Sequence, residues 1–187
     1  MKIYNITEDT CMQVMKNIIE NREEAYQVGI VQKSCVLKGK GDYNRQYCET
    51  NNITVIPGFN IGNPIVLSKG DIEIGYFTKL DANKLFKNLK TEFLKFLISK
   101  NIDAVFDGND FMVENNKIAA SSLTILNGLY YIGMHFSVNM NLELIDNICI
   151  KPRVKIPKGL SDYGIMTEDI IGFLDRFNDL YLDKENI

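Results

Sequence analysis

An Asn109-Asp110 pair stands seven residues ahead of Lys117, with the turn-prone Glu114-Asn115-Asn116 between them. Amide and carboxylate oxygens are the ligands that hard cations prefer. A lysine ammonium is a compact charge that can steady a developing oxyanion. The same residues, taken singly, read more readily as turn chemistry before a strand and as a solvent-facing lysine after a hairpin. Other reactive types are sparse. His135 is the only histidine, and no Ser-His-Asp pattern surrounds it; within its alternating strand it reads as a structural or surface residue. Cys11, Cys35, Cys48 and Cys149 show neither a CxxC pair nor zinc spacing. Cys149 reads as a small buried side chain rather than a nucleophile. The densest basic stretch carries Lys151, Arg153, Lys155 and Lys158. It reads as a solvated loop, the alternative being contact with an acidic partner or a phosphate.

The elements that must position these residues follow from periodicity and turn chemistry. Thr7 is placed to cap a helix from about Glu8 to Glu24, with Cys11, Met12, Met15, Ile18 and Ile19 on one face. Ala25 to Val31 reads as a strand, and Ser34 to Leu37 as its extension or the start of another. Asp42 can cap a short helix through Cys48, and Ile53 to Ile56 is a short strand. Pro57 to Asn63 is a loop rich in Gly, Asn and Pro, followed by strands at Pro64 to Leu67 and Asp71 to Phe77. Asp81 caps the clearest helix, which ends near Lys100 and buries Leu85, Leu89, Phe93, Phe96 and Leu97. Strands are then expected at Ala104 to Phe106, Phe111 to Val113, Lys117 to Leu126 and Tyr130 to Asn139. Asn127-Gly128 is the strongest hairpin signal of the chain. Asn141 to Ile148 is a short helix, and Thr167 caps a terminal one. Helices flanking a sheet built mostly of hairpins make this an α+β fold with a mixed, largely antiparallel sheet.

The chain has 187 residues, of which 45% are hydrophobic, and a net charge of −3. That fits a single domain spanning residues 1–187 with a conventional core. The mild negative charge argues against nucleic acid as a partner. No apolar run approaches the roughly 20 residues of a membrane span, and no signal peptide is visible. With no cysteine framework, a cytoplasmic location is expected.

The centre of the chain resembles the catalytic domain shared by lipoate-protein ligases, octanoyltransferases and biotin-protein ligases. Those families read roughly N-D-apolar, a turn, then K-(I/V)-(A/S)-(G/A). Here it stands as Asn109-Asp110-Phe111-Met112-Val113, then Lys117-Ile118-Ala119-Ala120. Their H-G-F-A-L-N-V-N-like strand is echoed by Met134-His135-Phe136-Ser137-Val138-Asn139-Met140-Asn141, and the octanoyltransferase I-x-P-C-G-I by Ile156-Pro157-Lys158-Gly159-Leu160. The resemblance spans roughly Ile53 to Met166. It implies a class II aminoacyl-synthetase and biotin-ligase-like catalytic domain. It implies that Lys117 polarises an acyl carbonyl, that Asp110 holds a metal, and that Asn109 contacts phosphate oxygens. The family's glycine-rich loop falls at Pro57 to Leu67, which places Asn60, Gly62 and Asn63 at the cofactor. Lys158 occupies the octanoyltransferase cysteine position, so it would hold a phosphate or carboxylate instead of carrying a thioester. The implied activity is attachment of lipoate or octanoate to a lysine of a carrier, the lipoyl domain of a 2-oxoacid dehydrogenase or a glycine cleavage H-type protein. ATP and Mg2+, or a preformed acyl-adenylate, would supply the activated acid. Of the three glycines expected in the loop only Gly62 remains, Leu67 stands for the family histidine, and the histidine of the later strand is offset by one. The altered loop, Leu67 and Lys158 favour, as an alternative, an inactive relative that binds a small ligand, acylated carrier or protein partner. A biotin-ligase-like protein is the third reading, set back because no tryptophan precedes Asn109-Asp110 and no R-G-R-x-G-R-like loop is present.

Overall fold

The computed structural model describes residues 1–57, 63–79, 81–150 and 155–182. Its main sheet has eight strands. β1 (Lys2–Ile6), β2 (Ala25–Ile30), β6 (Ile72–Thr78), β10 (Leu129–Phe136), β9 (Asn116–Leu126), β8 (Asp110–Val113) and β7 (Ala104–Asp107) lie side by side in that order. β11 (Ile156–Pro157) pairs with the start of β9. The β1–β2 and β9–β11 pairs are parallel and the others antiparallel. A smaller sheet holds β3 (Cys35–Lys38) between β4 (Thr54–Pro57) and β5 (Ile65–Leu67).

Strand alternation divides the main sheet into two faces with different tasks. Ile74 and Tyr76 of β6, with Ile132, Met134 and Phe136 of β10, point to the first face. There they meet α3 (Ala82–Ser99) and α5 (Thr167–Tyr181). Leu89, Phe93, Phe96 and Leu97 recur at helical spacing on α3, so all four are buried on this side. Phe93 stands edge-on to Phe111 and Phe136, with ring centroids 4.9 and 5.0 Å away. The second face faces α1 (Cys11–Asn21) and the small sheet. Met15 and Ile18 of α1 pack on Ala25, Phe77 and Leu129, and Cys11 and Met12 reach Cys35, Ile56 and Leu67 of the small sheet. Behind that sheet, α2 (Arg45–Thr50) and α4 (Leu142–Ile148) share a cluster containing Val36, Cys48, Ile145 and Ile148.

The mixed, largely antiparallel sheet flanked by helices is the expected class. Asp81 caps α3 through its Oδ1, which accepts from the Lys84 N–H at 3.1 Å. Asn127 and Gly128 both take positive φ, 49° and 80°, as a tight hairpin demands. Several boundaries differ from expectation. α1 begins at Cys11, because Thr7 to Thr10 close a turn in which the Thr7 carbonyl accepts from the Thr10 and Cys11 N–H groups. The first strand, β1, went unseen because its five residues are mostly exposed at a sheet edge. Asn44, not Asp42, caps α2, its Oδ1 accepting from the Tyr47 N–H. β10 ends at Phe136, and the next residues turn off the sheet to bond with Asp71. At α5 the Thr167 hydroxyl donates to the Gly70 carbonyl instead of capping its own helix.

Candidate functional site

A cleft of about 400 Å3 lies between the second face of the main sheet, α1 and the small sheet. That size suits a small organic ligand. Its walls are apolar, with Met12 and Met15 from α1 and Leu37, Ile56, Ile65 and Leu67 from the small sheet. Its floor differs. Along β2, β6 and β10 the floor is lined by Gln27 and Gly29, Glu73, and Tyr131, Gly133 and His135. Gly75 and Gly133 are neighbours across β6 and β10, and the Tyr131 side chain lies over both. A Cβ on Gly75 would come within 2.7 Å of the Tyr131 ring, and one on Gly133 within 2.8 Å of the Tyr131 hydroxyl. Burial pushes the Tyr131 hydroxyl up from its ordinary pKa, so it stays neutral.

At one end of the cleft a buried charge cluster joins the two sheets. Asp71 accepts from the N–H groups of Ser68 (2.8 Å), Val138 (2.8 Å) and Asn139 (3.0 Å). Its Oδ2 lies 3.6 Å from His135 Nε2, while His135 Nδ1 lies 2.5 Å from Glu73 Oε1. That last pair lacks an aligned hydrogen bond and is an ion pair when His135 is protonated. Burial raises the Asp71 carboxyl, against the pull of His135 and the three N–H groups. Burial alone would lower the His135 pKa and Lys117 lowers it too, but Glu73 and Asp71 outweigh both, leaving it above 6.5. A histidine whose folded value is raised adds stability that is complete below its unfolded value near 6.5 and lost as pH climbs through the folded value. Urea unfolding at about pH 6 and about pH 8 should therefore show a loss of stability at the higher pH that His135→Gln abolishes. An unchanged slope in the variant would assign the loss to other groups.

Next to this end lies the hairpin of β8 and β9. Asp110 Oδ1 meets Lys117 Nζ at 2.9 Å, and Oδ2 meets Lys155 Nζ at 2.9 Å. Lys155 also reaches Asp107 at 2.9 Å. Burial would raise the Asp110 carboxyl, yet the two ammonium groups hold it below the usual carboxylate value. The Asn109 carbonyl accepts from the Ser121 N–H at 2.7 Å, so Asn109 lines the cleft on a fixed backbone. The structure thus brings together Lys117, Asp110 and Asn109. Lys158 adjoins them through its backbone, its N–H donating to the Lys117 carbonyl at 2.9 Å. Its ammonium instead sits 4.4 Å over the Tyr163 ring. Among the described residues no cluster of three or more His, Cys, Asp or Glu is arranged to hold a metal. Asn60 and Gly62 lie outside the described residues, and Asn63 is exposed.

Four residues of the cleft and its adjoining hairpin were given no role at the site from sequence. Lys155 was read as part of a solvated loop, but it pairs with Asp107 and Asp110. His135, expected to be structural or at the surface, faces the cleft; the one-residue offset that seemed to remove it from the site puts it there. Gln27 and Glu73 sit in two strands, β2 and β6, whose pattern does not say that one face borders a cavity. Cys149 packs in the cluster behind the small sheet. Cys11 borders the cleft, but burial raises its thiol pKa, so the reactive thiolate is disfavoured.

Residues 10–170 match the lipoyl protein ligase A/B catalytic domain, and the chain belongs to that family. No curated protein matches the sequence. Solved structures are similar throughout the fold. A P. falciparum LipL1 in complex with lipoate has a TM-score of 0.77 at 13% identity, over 99% of this chain and 63% of that one; the chain thus spans just under two thirds of that protein's length. A lipoate-protein ligase A bound with ATP has 0.76 at 14%, over 97% and 85%. A bipartite lipoate protein ligase from Thermoplasma acidophilum, studied with its E2 lipoyl domain, has 0.77 at 13%, over 97% and 83%.

Proposed function

We propose that the chain transfers a medium-chain acyl group, of the lipoate or octanoate class, onto a lysine of a lipoyl carrier domain. The observation that carries this is the apolar cleft lined at one end by Asn109, Ala120 and His135, with the Asp110–Lys117 pair on the adjoining hairpin. A carboxylic acid lying in the cleft would have its tail among Met15, Leu37 and Leu67 and its carbonyl at the Lys117 end. When the carrier amine attacks the acyl-adenylate, a new C–N bond forms, the bond to phosphate oxygen breaks and AMP leaves; the carbonyl oxygen gains negative charge on the way, and the Lys117 ammonium, already positioned by Asp110, stabilises it. Asn109 supplies a rigid edge to the same end.

Activation of the acid by ATP, or delivery as a preformed adenylate, fits a site with two ammonium groups, Lys117 and Lys155, held on one carboxylate. Both Asp110 oxygens face those ammonium groups. A divalent cation at Asp110 would have to displace one of them. Thioester transfer is disfavoured by Lys158 at the cysteine position and by the protonated thiol of Cys11.

Incubating the protein with lipoate or octanoate, ATP, magnesium and a purified lipoyl domain tests this, with the carrier's intact mass as readout. A parallel reaction supplies the acyl-adenylate. Mass gain in either reaction supports the proposal; its absence in both would overturn it. A second reading, a non-catalytic relative that retains ligand or carrier binding, is favoured by Leu67. It stands for the family histidine and is 3% exposed, packed with Cys35 and Ile56. In that case a carrier or acid would bind with no mass gain.

A further inference from the structure

From the Lys117 end the floor of the cleft runs along the rows of the main sheet. His135 pairs with Ala120, Gly133 with Ser122 and Tyr131 with Thr124, each pair further from Lys117 along β9. Tyr131 leaves β10 about 13 Å along the strand from His135. Its side chain leans back toward His135, over the row where β10 and β6 carry Gly133 and Gly75 side by side. A Cβ on Gly133 would stand 2.8 Å from the Tyr131 hydroxyl and 3.0 Å from its Cε1, and one on Gly75 would stand 2.7 Å from its Cε2. A larger residue at either position would push the ring off the sheet, so the two glycines let it lie low. Phe77 backs the ring, with centroids 4.9 Å apart, and Met15 of α1 packs into the same cluster. Gln27 fills the space over Gly75 from the other side, with Nε2 2.8 Å from the same Cβ position. The floor is therefore full at this row, and an apolar tail running from the Lys117 end toward Met15 meets the Tyr131 ring.

Resting on the acyl-transfer reading above, we propose that Tyr131 sets the length of the acid, its ring being the stop at the tail end of the cleft. A close-packed ring leaves no space for further methylenes. Taking it away bares the backbone of Gly75 and Gly133, and neither residue has a side chain to refill the space. Tyr131 is then the specificity-determining residue for the tail, while Lys117 acts on the carbonyl. The volume of the ring makes the stop, and the hydroxyl takes no part in it.

Calorimetry on the full chain tests this with the saturated acids hexanoate, octanoate, decanoate and dodecanoate. Each two-carbon step that finds room buries two more methylenes and should tighten binding about tenfold. With the unaltered protein the gain should stop within this series, the next acid binding no better than the one before. Tyr131→Ala should carry the gain at least one step further. Tyr131→Phe keeps the ring and should leave the stop where it is. Tyr131→Leu serves if the alanine variant does not fold by circular dichroism. A gain that continues to dodecanoate in the unaltered protein would overturn the assignment. So would a stop that Tyr131→Ala leaves in place or shortens, or one that Tyr131→Phe moves as far as Tyr131→Ala does. If such a result accompanies mass gain on a lipoyl domain, the stop fails and the acyl-transfer reading stands. If no acid binds, the stop fails as well, and only mass gain on the carrier keeps the acyl-transfer reading.

Discussion

Lys117→Ala should lower the rate of acyl transfer by about 100- to 1,000-fold, the usual cost of removing one donor from a developing oxyanion. The fold should survive. Asp110 keeps Lys155 at 2.9 Å when Lys117 is gone, so no carboxylate is stranded. The lost ion pair is partly solvent-exposed, and such pairs contribute about 1 kcal/mol or less. Tm should then move by no more than about 4 °C. The rate is read as carrier mass against time, with acyl-adenylate as donor so that activation does not limit it. An unchanged rate would remove Lys117 from the mechanism. Lys155→Ala is the informative companion, since it frees Asp110 to hold Lys117 alone and should affect the rate less.

The largest effect on stability is expected at Asp71. Asp71→Ala leaves the Ser68, Val138 and Asn139 N–H groups without their acceptor and takes one of two carboxylates from the His135 ring. At roughly 1 kcal/mol or more for each buried donor left unsatisfied, the loss is about 3 kcal/mol. For a chain of this size that corresponds to a fall in Tm on the order of 10 °C. Thermal unfolding followed by circular dichroism measures it directly. A fall within about 2 °C would show that water replaces the carboxylate, and that the link it makes between β6 and the end of β10 is dispensable.

The two helices that cover the first face were legible because their apolar residues repeat at a helical period. Leu89, Phe93, Phe96 and Leu97 could sit nowhere else. The Asn127-Gly128 turn was legible because few residue pairs accept two positive φ values in succession. That Asp110 and Lys117 lie on neighbouring strands also follows from a short hairpin, but their ion pair does not: a bulge sets Lys117 opposite Met112, and Asp110 was read as a metal ligand. The floor of the cleft was not legible. Gln27, Glu73 and His135 come from three strands far apart in sequence, and only their register makes them neighbours. Lys155 was hidden for a similar reason: its partners precede it by more than 40 residues. Local pattern reports which face a residue occupies, whereas a site of this kind depends on what that face meets.

The three strands of the small sheet all lie between residues 35 and 67, and that stretch joins β2 to β6, which are neighbours in the main sheet. One uninterrupted piece of chain therefore supplies the wall formed by Leu37, Ile56, Ile65 and Leu67, while Asn109, Asp110 and Lys117 arrive on another. Replacing the first piece would alter which acid fits without touching the groups that act on its carbonyl. Selection can tune the two separately, and so can grafting: a foreign 35–67 segment placed on this sheet should change the preferred acid and keep the same reacting end.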